Sequence, residues 1–190
     1  KELGIKKDST LILSAGELNR NKNQKIIIEA ISKIENNEDI HYIVCGRGPL
    51  EEELKKIVRE RKLSMNVHFL GYRKDITELM KASDIFVMPS YREGLSRAIM
   101  EAMASGIPVI ASKIRGNTDL IKDNEGGFLC DCNNAKSFSI AIETLMKKDV
   151  KERMGNFNLE LSKEFDLENI KTKLKYIYEE QLNCTKIENR

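Results

Sequence analysis

Between Asp84 and Ser112 the chain reads DIFVMPSYREGLSRAIMEAMASGIPVIAS, and no other stretch restricts the fold as much. It opens on an apolar run, Ile85 to Met88, with the length and composition of a buried strand. Pro89 and a polar loop to Gly94 follow. Leu95, Ile99, Ala102 and Met103 then recur at three- and four-residue steps, which predicts a helix. Gly106 stops that helix, Pro108 guards the restart, and Val109-Ile110-Ala111 reads as the next strand. The outcome is a strand, loop, helix and strand unit.

The same alternation runs through the rest of the chain. Leu11 to Ala15 is a strand closed by Gly16, and the loop GELNRNKN leads into a helix faced by Ile26, Ile27, Ala30, Ile31 and Ile34. Tyr42 to Cys45 is a second strand, ending in Gly46-Arg47-Gly48-Pro49. Leu50, Leu54, Ile57 and Val58 trace a helical stripe, with Glu51, Glu52 and Glu53 in the first turn, where the dipole favours acids. Val67 to Leu70 is a short strand before Gly71-Tyr72-Arg73, and a brief helix spans Ile76 to Ala82. After the central unit, Gly126 to Cys130 predicts a sixth, edge strand, and Phe138 to Met146 a helix. From Val150 to about Leu182 the pattern is helical, with a break near Phe165-Asp166. Leu167, Ile170, Leu174 and Ile177 form one stripe of that tail, while Tyr176 and Tyr178 lie off it. Strands and helices at this spacing predict an α/β fold, a Rossmann-like open parallel sheet of about six strands with helices on both faces.

Glycines mark where such a sheet would bind a ligand. Gly16, Gly46, Gly48, Gly71, Gly94 and Gly116 all follow the C-terminal ends of predicted strands, the edge at which open α/β sheets hold ligands. Some of them serve as caps or tight turns. Arg20, Lys22, Arg47, Arg73, Arg92 and Arg115 fall at the same edge, which suits a phosphate-bearing ligand. Two rival nucleotide motifs are missing. Gly46-Arg47-Gly48 has no third glycine for a dinucleotide fingerprint, and no Gly-x-x-x-x-Gly-Lys-Ser/Thr loop occurs. His41 and His68 sit beside apolar strand residues and read as structural.

Glu93 and Glu101 bracket the first half of the central helix. If both were helical, about 12 Å of axial rise would separate them, too far for the acid and nucleophile of a glycosidase acting across one bond. Glu93 at a helix entrance fits a capping acid or a loop residue. Glu101, beside Met100, Ala102 and Met103, is a carboxylate in an apolar helix, and such acids usually have a partner or a task.

Composition narrows the alternatives. With 190 residues the chain makes one domain, or one domain plus an extension, and buries enough surface to need no staples. A net charge of +2, from 32 basic and 30 acidic residues, gives no electrostatic case for nucleic acid. No apolar run approaches the roughly 20 residues of a membrane span, and no signal peptide is visible. The chain opens on KELGIKKDST without methionine and reads as a fragment. Cys45, Cys184, Cys130 and Cys132 make no disulfide framework and no zinc spacing, so reduced thiols in a cytoplasmic protein are expected.

The segment PSYREGLSRAIMEAMASGIPVIAS resembles the signature of glycosyltransferase family 4, the retaining, nucleotide-sugar-dependent enzymes of the GT-B fold. Its core is Glu, seven residues, Glu, then Ala-Met-Ala and Gly-x-Pro-Val. GELNRNKN, LGYRKDI and SKIRGNTDLI extend the likeness over nearly the whole chain, which is most similar in flavour to bacterial capsular and exopolysaccharide transferases. The resemblance implies the donor-binding C-terminal half of a two-domain enzyme. Residues 1–165 would form the nucleotide-sugar domain, and 166–190 a helix packing toward an N-terminal domain that holds a saccharide or lipid-linked acceptor. The intact enzyme would then work in the cytoplasm at the inner face of the cell membrane, in cell-surface polysaccharide synthesis.

Site residues follow from the same likeness. Glu93 matches the glutamate beside the donor sugar's reacting centre, and Glu101 the one that binds the ribose hydroxyls. Gly94, Leu95 and Ser96 match the loop whose amides meet the pyrophosphate or sugar, and Lys22 the lysine that neutralises the diphosphate. Gly16, Gly46 and Gly48 correspond to glycine turns of the donor site, and Gly71, Tyr72 and Arg73 to the segment lining the base. Glu17 departs from the pattern, standing where many members carry an arginine; Arg20, three residues on, is the candidate replacement. The implied chemistry needs no metal and no cofactor beyond the nucleoside-diphosphate sugar. An epimerase or phosphorylase of the same fold, and a non-catalytic nucleotide-sugar-binding module, are the alternatives; the Glu93–Glu101 spacing disfavours both.

Overall fold

A computed structural model describes residues 3–188, with the backbone alone for Lys173 and for residues 180–188. Cys184 therefore lies outside the described side chains. Six strands form a single parallel sheet: β1 (Thr10–Ala15), β2 (Ile40–Cys45), β3 (Val67–Gly71), β4 (Ile85–Met88), β5 (Val109–Ser112) and β6 (Gly127–Cys130). Their spatial order is β3-β2-β1-β4-β5-β6. The chain thus builds outward from β1 in one direction, returns to the middle, and builds outward in the other.

Alternation along the strands explains why both faces are covered. Ile12, Ile85 and Val87 point into one apolar cluster, and Leu13, Phe86 and Met88 into the other. Parallel strands buried on both sides read as continuous apolar runs, as β4 does. The first cluster is closed by α1 (Gln24–Ile31), α2 (Glu51–Glu60) and α5 (Ala135–Leu145), through Ile27, Ile31, Leu54, Val58, Phe138 and Ile142. The second is closed by α3 (Ile76–Lys81) and α4 (Arg97–Ala104), through Met80, Ile99, Ala102 and Met103.

Helix α6 (Lys148–Ser162) crosses to the α4 side, where Gly155 lets its backbone meet that of Gly106. Asn158, fully buried, donates through Nδ2 to the carbonyls of Ile107 (2.9 Å) and Gly126 (2.6 Å), fastening α6 to the segments that lead into β5 and β6. A 3-10 turn at Lys163–Phe165 separates α6 from α7 (Leu167–Glu188), at the expected break. Leu167, Leu174, Ile177, Tyr176 and Tyr178 are all exposed on α7, so neither the apolar stripe nor the tyrosines are buried in this domain.

Two local readings change. Leu95 is not part of the helix stripe: α4 begins at Arg97, and Leu95 is exposed in the loop before it. The physical reason is Ser96, whose Oγ accepts from the Ile99 N–H at 3.4 Å and sets the helix start two residues after Leu95. That cap also removes the reading of Glu93 as a capping acid.

Candidate functional site

The β1–α1 and β4–α4 loops leave adjacent strands at the point where the strand order reverses. Open sheets of this kind form a crevice there, outside the carboxyl ends of the strands. Lys22 comes from the first loop and Glu93 from the second. Lys22 Nζ donates to Glu93 Oε1 at 2.6 Å, with side chains 24% and 13% exposed. Lys22 reaches this spot by lying over Gly16, where an added Cβ would be 3.5 Å from its Cε.

Two asparagines, Asn21 and Asn23, hold the two loops in register, and Asn19 braces the first loop from within. Asn21 donates to the Arg92 carbonyl at 2.9 Å, and its own carbonyl accepts from the Tyr91 N–H at 2.8 Å. Asn19 Oδ1 accepts from the Lys22 N–H at 3.1 Å. Asn23 takes a left-handed backbone at φ 50°, which Asn tolerates better than most residues. From there Nδ2 reaches the carbonyls of Pro89 (3.2 Å) and Cys132 (2.9 Å), tying three loops together. On the far side of Glu93, Gly116 has φ +91° and is buried. A Cβ there would run into the Gly94 carbonyl and lie 2.9 Å from that of Glu93.

Next to this ion pair, at the ends of β1, β2 and β3, lies a cavity of about 520 Å³. Gly16, Glu17, Cys45, Gly46, Arg47, Tyr72, Arg73 and Ile76 line it. The strand ends that form its floor are stitched together, Gly16 N–H to the Cys45 carbonyl at 2.9 Å and Gly46 N–H to that of Gly71 at 2.7 Å. Gly46, at φ +141°, cannot carry a side chain because a Cβ would strike the Gly16 carbonyl. Arg73 grips Asp75 through two bonds, Nε to Oδ1 at 2.8 Å and an Nη to Oδ2 at 2.6 Å. That contact holds the Asp75 carboxyl below its usual range. Burial pushes the Cys45 thiol up to about 11, against the pull of Arg73, so this cavity thiol stays protonated at neutral pH.

The structure therefore gathers Lys22 with Glu93, and Gly16, Gly46, Tyr72 and Arg73 around the adjoining cavity. Other expected residues stand apart. Arg20 is exposed and lines a second hollow of about 250 Å³ between α1 and α2, with Asn23, Glu53 and Tyr91. Gly48 packs on the Leu18 backbone. Gly94 and Leu95 are exposed, while Ser96 spends its hydroxyl on the α4 cap. Glu101 is 35% exposed rather than buried, and Arg97, one turn earlier, donates to it at 2.8 Å. His41 and His68 meet far from this edge, near the starts of β2 and β3, with Nδ1 and Nε2 3.1 Å apart. Among the described residues no group of three or more His, Cys, Asp or Glu is placed to hold a metal. Nor is any described helix long and apolar enough to cross a membrane.

Asn21, Asn23 and the close approach of Gly116 were not apparent as site-building features. The only hint was the run Asn21-Lys22-Asn23 itself, polar residues suited to irregular backbone in a loop between a strand and a helix.

Residues 1–159 match the family model described as "Glycosyl transferases group 1". The chain is 36% identical over 172 residues to the UDP-Gal:alpha-D-GlcNAc-diphosphoundecaprenol alpha-1,3-galactosyltransferase of Escherichia coli, covering 84% of this chain and 44% of that one. The crystal structure of Anabaena HepE in complex with UDP superposes with a TM-score of 0.86 at 25% identity, over 94% of this chain and 50% of HepE. The C-terminal domain of the group 1 glycosyl transferase LpcC of Francisella tularensis shares the fold, with a TM-score of 0.76 at 22% identity, over 84% of this chain and 87% of that domain. The chain thus spans about half the length of the full-length relatives it matches. By its sequence from residue 1 to 159, its parallel six-stranded sheet and these likenesses, the chain belongs to the group 1 glycosyl transferases.

Proposed function

We propose that this chain is the donor-binding half of a retaining glycosyltransferase that moves a sugar from a uridine-diphosphate sugar to a saccharide or lipid-linked acceptor in cell-surface polysaccharide synthesis. One observation carries the reading: a lysine and a glutamate from two loops meet at 2.6 Å where the strand order reverses, beside a cavity large enough for a nucleoside. The uridine occupies the cavity among Arg47, Tyr72 and Arg73. Its diphosphate crosses the bare backbone of Gly16 toward Lys22, which brings the sugar to Glu93. Glu101 accepts hydrogen bonds from the ribose hydroxyls.

As the bond to the anomeric carbon breaks, negative charge grows on the diphosphate. Lys22, the loop amides from Gly94 to Ser96 and the positive end of α4 stabilise that charge, so no metal ion is needed. The acceptor is held by a second domain. A complex of HepE with UDP-glucose, similar in fold to this chain with a TM-score of 0.85, supports the choice of donor class.

Calorimetric titration of UDP, GDP and a panel of their sugars tests the reading. UDP and at least one UDP-sugar should bind, unaffected by EDTA, and should perturb resonances at the C-terminal ends of β1, β2 and β4. No binding of any nucleotide, or perturbation confined to the opposite edge of the sheet, would overturn it.

A further inference from the structure

We infer that the Lys22–Glu93 ion pair is a placeholder: in the empty site the Glu93 carboxylate occupies the position of a diphosphate oxygen, and the arriving donor exchanges for it. This rests on the proposal that Lys22 receives the diphosphate. The Lys22 ammonium and the Glu93 carboxylate each have the other as their sole hydrogen-bond or ion-pair partner among the described residues. Both are mostly withdrawn from water, at 24% and 13% exposure, so neither charge is well solvated without a counter-ion. Glu93 supplies that counter-ion to Lys22 before any ligand does.

The two anions cannot both stay. An ammonium has three N–H donors, enough for a carboxylate and a phosphate together. A carboxylate and a diphosphate within about 4–6 Å of each other in a half-buried site are nevertheless mutually unfavourable. Exchange is therefore required, and the backbone around Glu93 shows how it happens. Asn21 fastens the residues before it, at Tyr91 and Arg92, and the buried Gly116 packs against its own carbonyl and that of Gly94. The loop is held at both ends, so the carboxylate leaves by side-chain rotation. Donor binding then performs two acts at once. It takes Lys22 for the leaving group, and it releases Glu93 into the crevice beside the sugar, where an ionised carboxylate acts on the reacting centre.

This exchange makes an unusual demand on Glu93→Gln. Removing a residue that contacts the ligand normally weakens binding. Here, removal of the competing charge should tighten UDP about three- to tenfold, as expected when a partly buried pair no longer has to be broken. Uridine, which has no phosphate, should bind the variant as it binds the wild type. Lys22→Gln should lose the preference for UDP over uridine. In the wild-type protein, the Glu93 carboxyl carbon resonance should move on adding UDP and stay put on adding uridine, a readout that needs no variant to fold. UDP binding to Glu93→Gln that equals or falls below wild type, or a Glu93 resonance indifferent to UDP, would overturn the exchange while leaving Lys22 as the diphosphate site. A Lys22→Gln protein that keeps its preference for UDP would overturn the underlying assignment of the diphosphate itself.

Discussion

Arg97 already holds Glu101 through a 2.8 Å hydrogen bond along one turn of α4, so the carboxylate has a partner before any ribose arrives. Arg97 is 87% exposed in that pair and Glu101 35%, and helix pairs at this spacing contribute little to stability. Glu101 is thus available to a ligand at small cost. Replacing it with alanine should weaken UDP by about ten- to a hundredfold, the loss of one charge-assisted hydrogen bond of roughly 1.5–3 kcal/mol. A 2′,3′-dideoxy analogue should lose far less. Parallel titrations of both ligands check this, and equal losses would make Glu101 a structural residue. The expectation that Glu101 is buried came from its apolar neighbours Met100, Ala102 and Met103. Residues adjacent in sequence lie on different faces of a helix, and Arg97, four positions back, shares its face.

At the scale of elements, strands and helices were legible because their two periods differ so clearly. β4 is four consecutive buried residues, and α4 buries Ile99, Ala102 and Met103 at helical steps. What the pattern hid is how elements from distant sequence meet. Lys22 and Glu93 were each visible, but their contact spans 71 residues and exists only because β4 pairs with β1. His41 and His68 were likewise read one at a time, as structural residues. The pairing of β2 with β3 puts them in contact across neighbouring strands, their ring centres 5.3 Å apart. Burial, and then the neighbouring His41, lower the His68 pKa from 6.5. A histidine favoured in its neutral form gives stability that is whole above about pH 6.5 and is lost as pH falls through its depressed value. The denaturant midpoint should therefore drop between pH 7.5 and 5.5, and His68→Gln should flatten that slope. An identical slope in the variant would place the pH dependence elsewhere.

Among the described residues the cavity and the Lys22–Glu93 pair lie at one edge of the sheet, and α7 exposes its apolar side chains. Catalytic transfer of this kind needs a cleft that aligns both reactants and excludes water. On the proposed function, the described domain would supply one wall of such a cleft. We expect the 190-residue chain to fold and bind UDP, yet to transfer sugar to the natural acceptor at only a small fraction of the rate of the protein that includes the acceptor domain. Single-turnover assays with a labelled UDP-sugar measure this, and transfer at a comparable rate would show that residues 1–190 suffice. Leu167, Leu174 and Ile177 on α7, with Tyr176 and Tyr178, are exposed, and on the proposed function this is the face we expect the acceptor domain to meet.

Asn23 has a consequence for the order in which the molecule matures. Its amide spans from the β1–α1 loop to the carbonyls of Pro89 and Cys132, so the knot beside Lys22 needs backbone made more than a hundred residues later. As a ribosome extends the chain from the N-terminus, the first strands are free to pair long before that knot can be tied. β1, β2 and β3 precede Cys132 in the chain, so the side chains that line the cavity are made before the third loop of that knot. A nascent chain halted just short of Cys132 would carry the cavity-lining side chains and the Asn23–Pro89 bond but lack the tie to the third loop, and on the proposed function its nucleotide capture should fall below that of the longer chain.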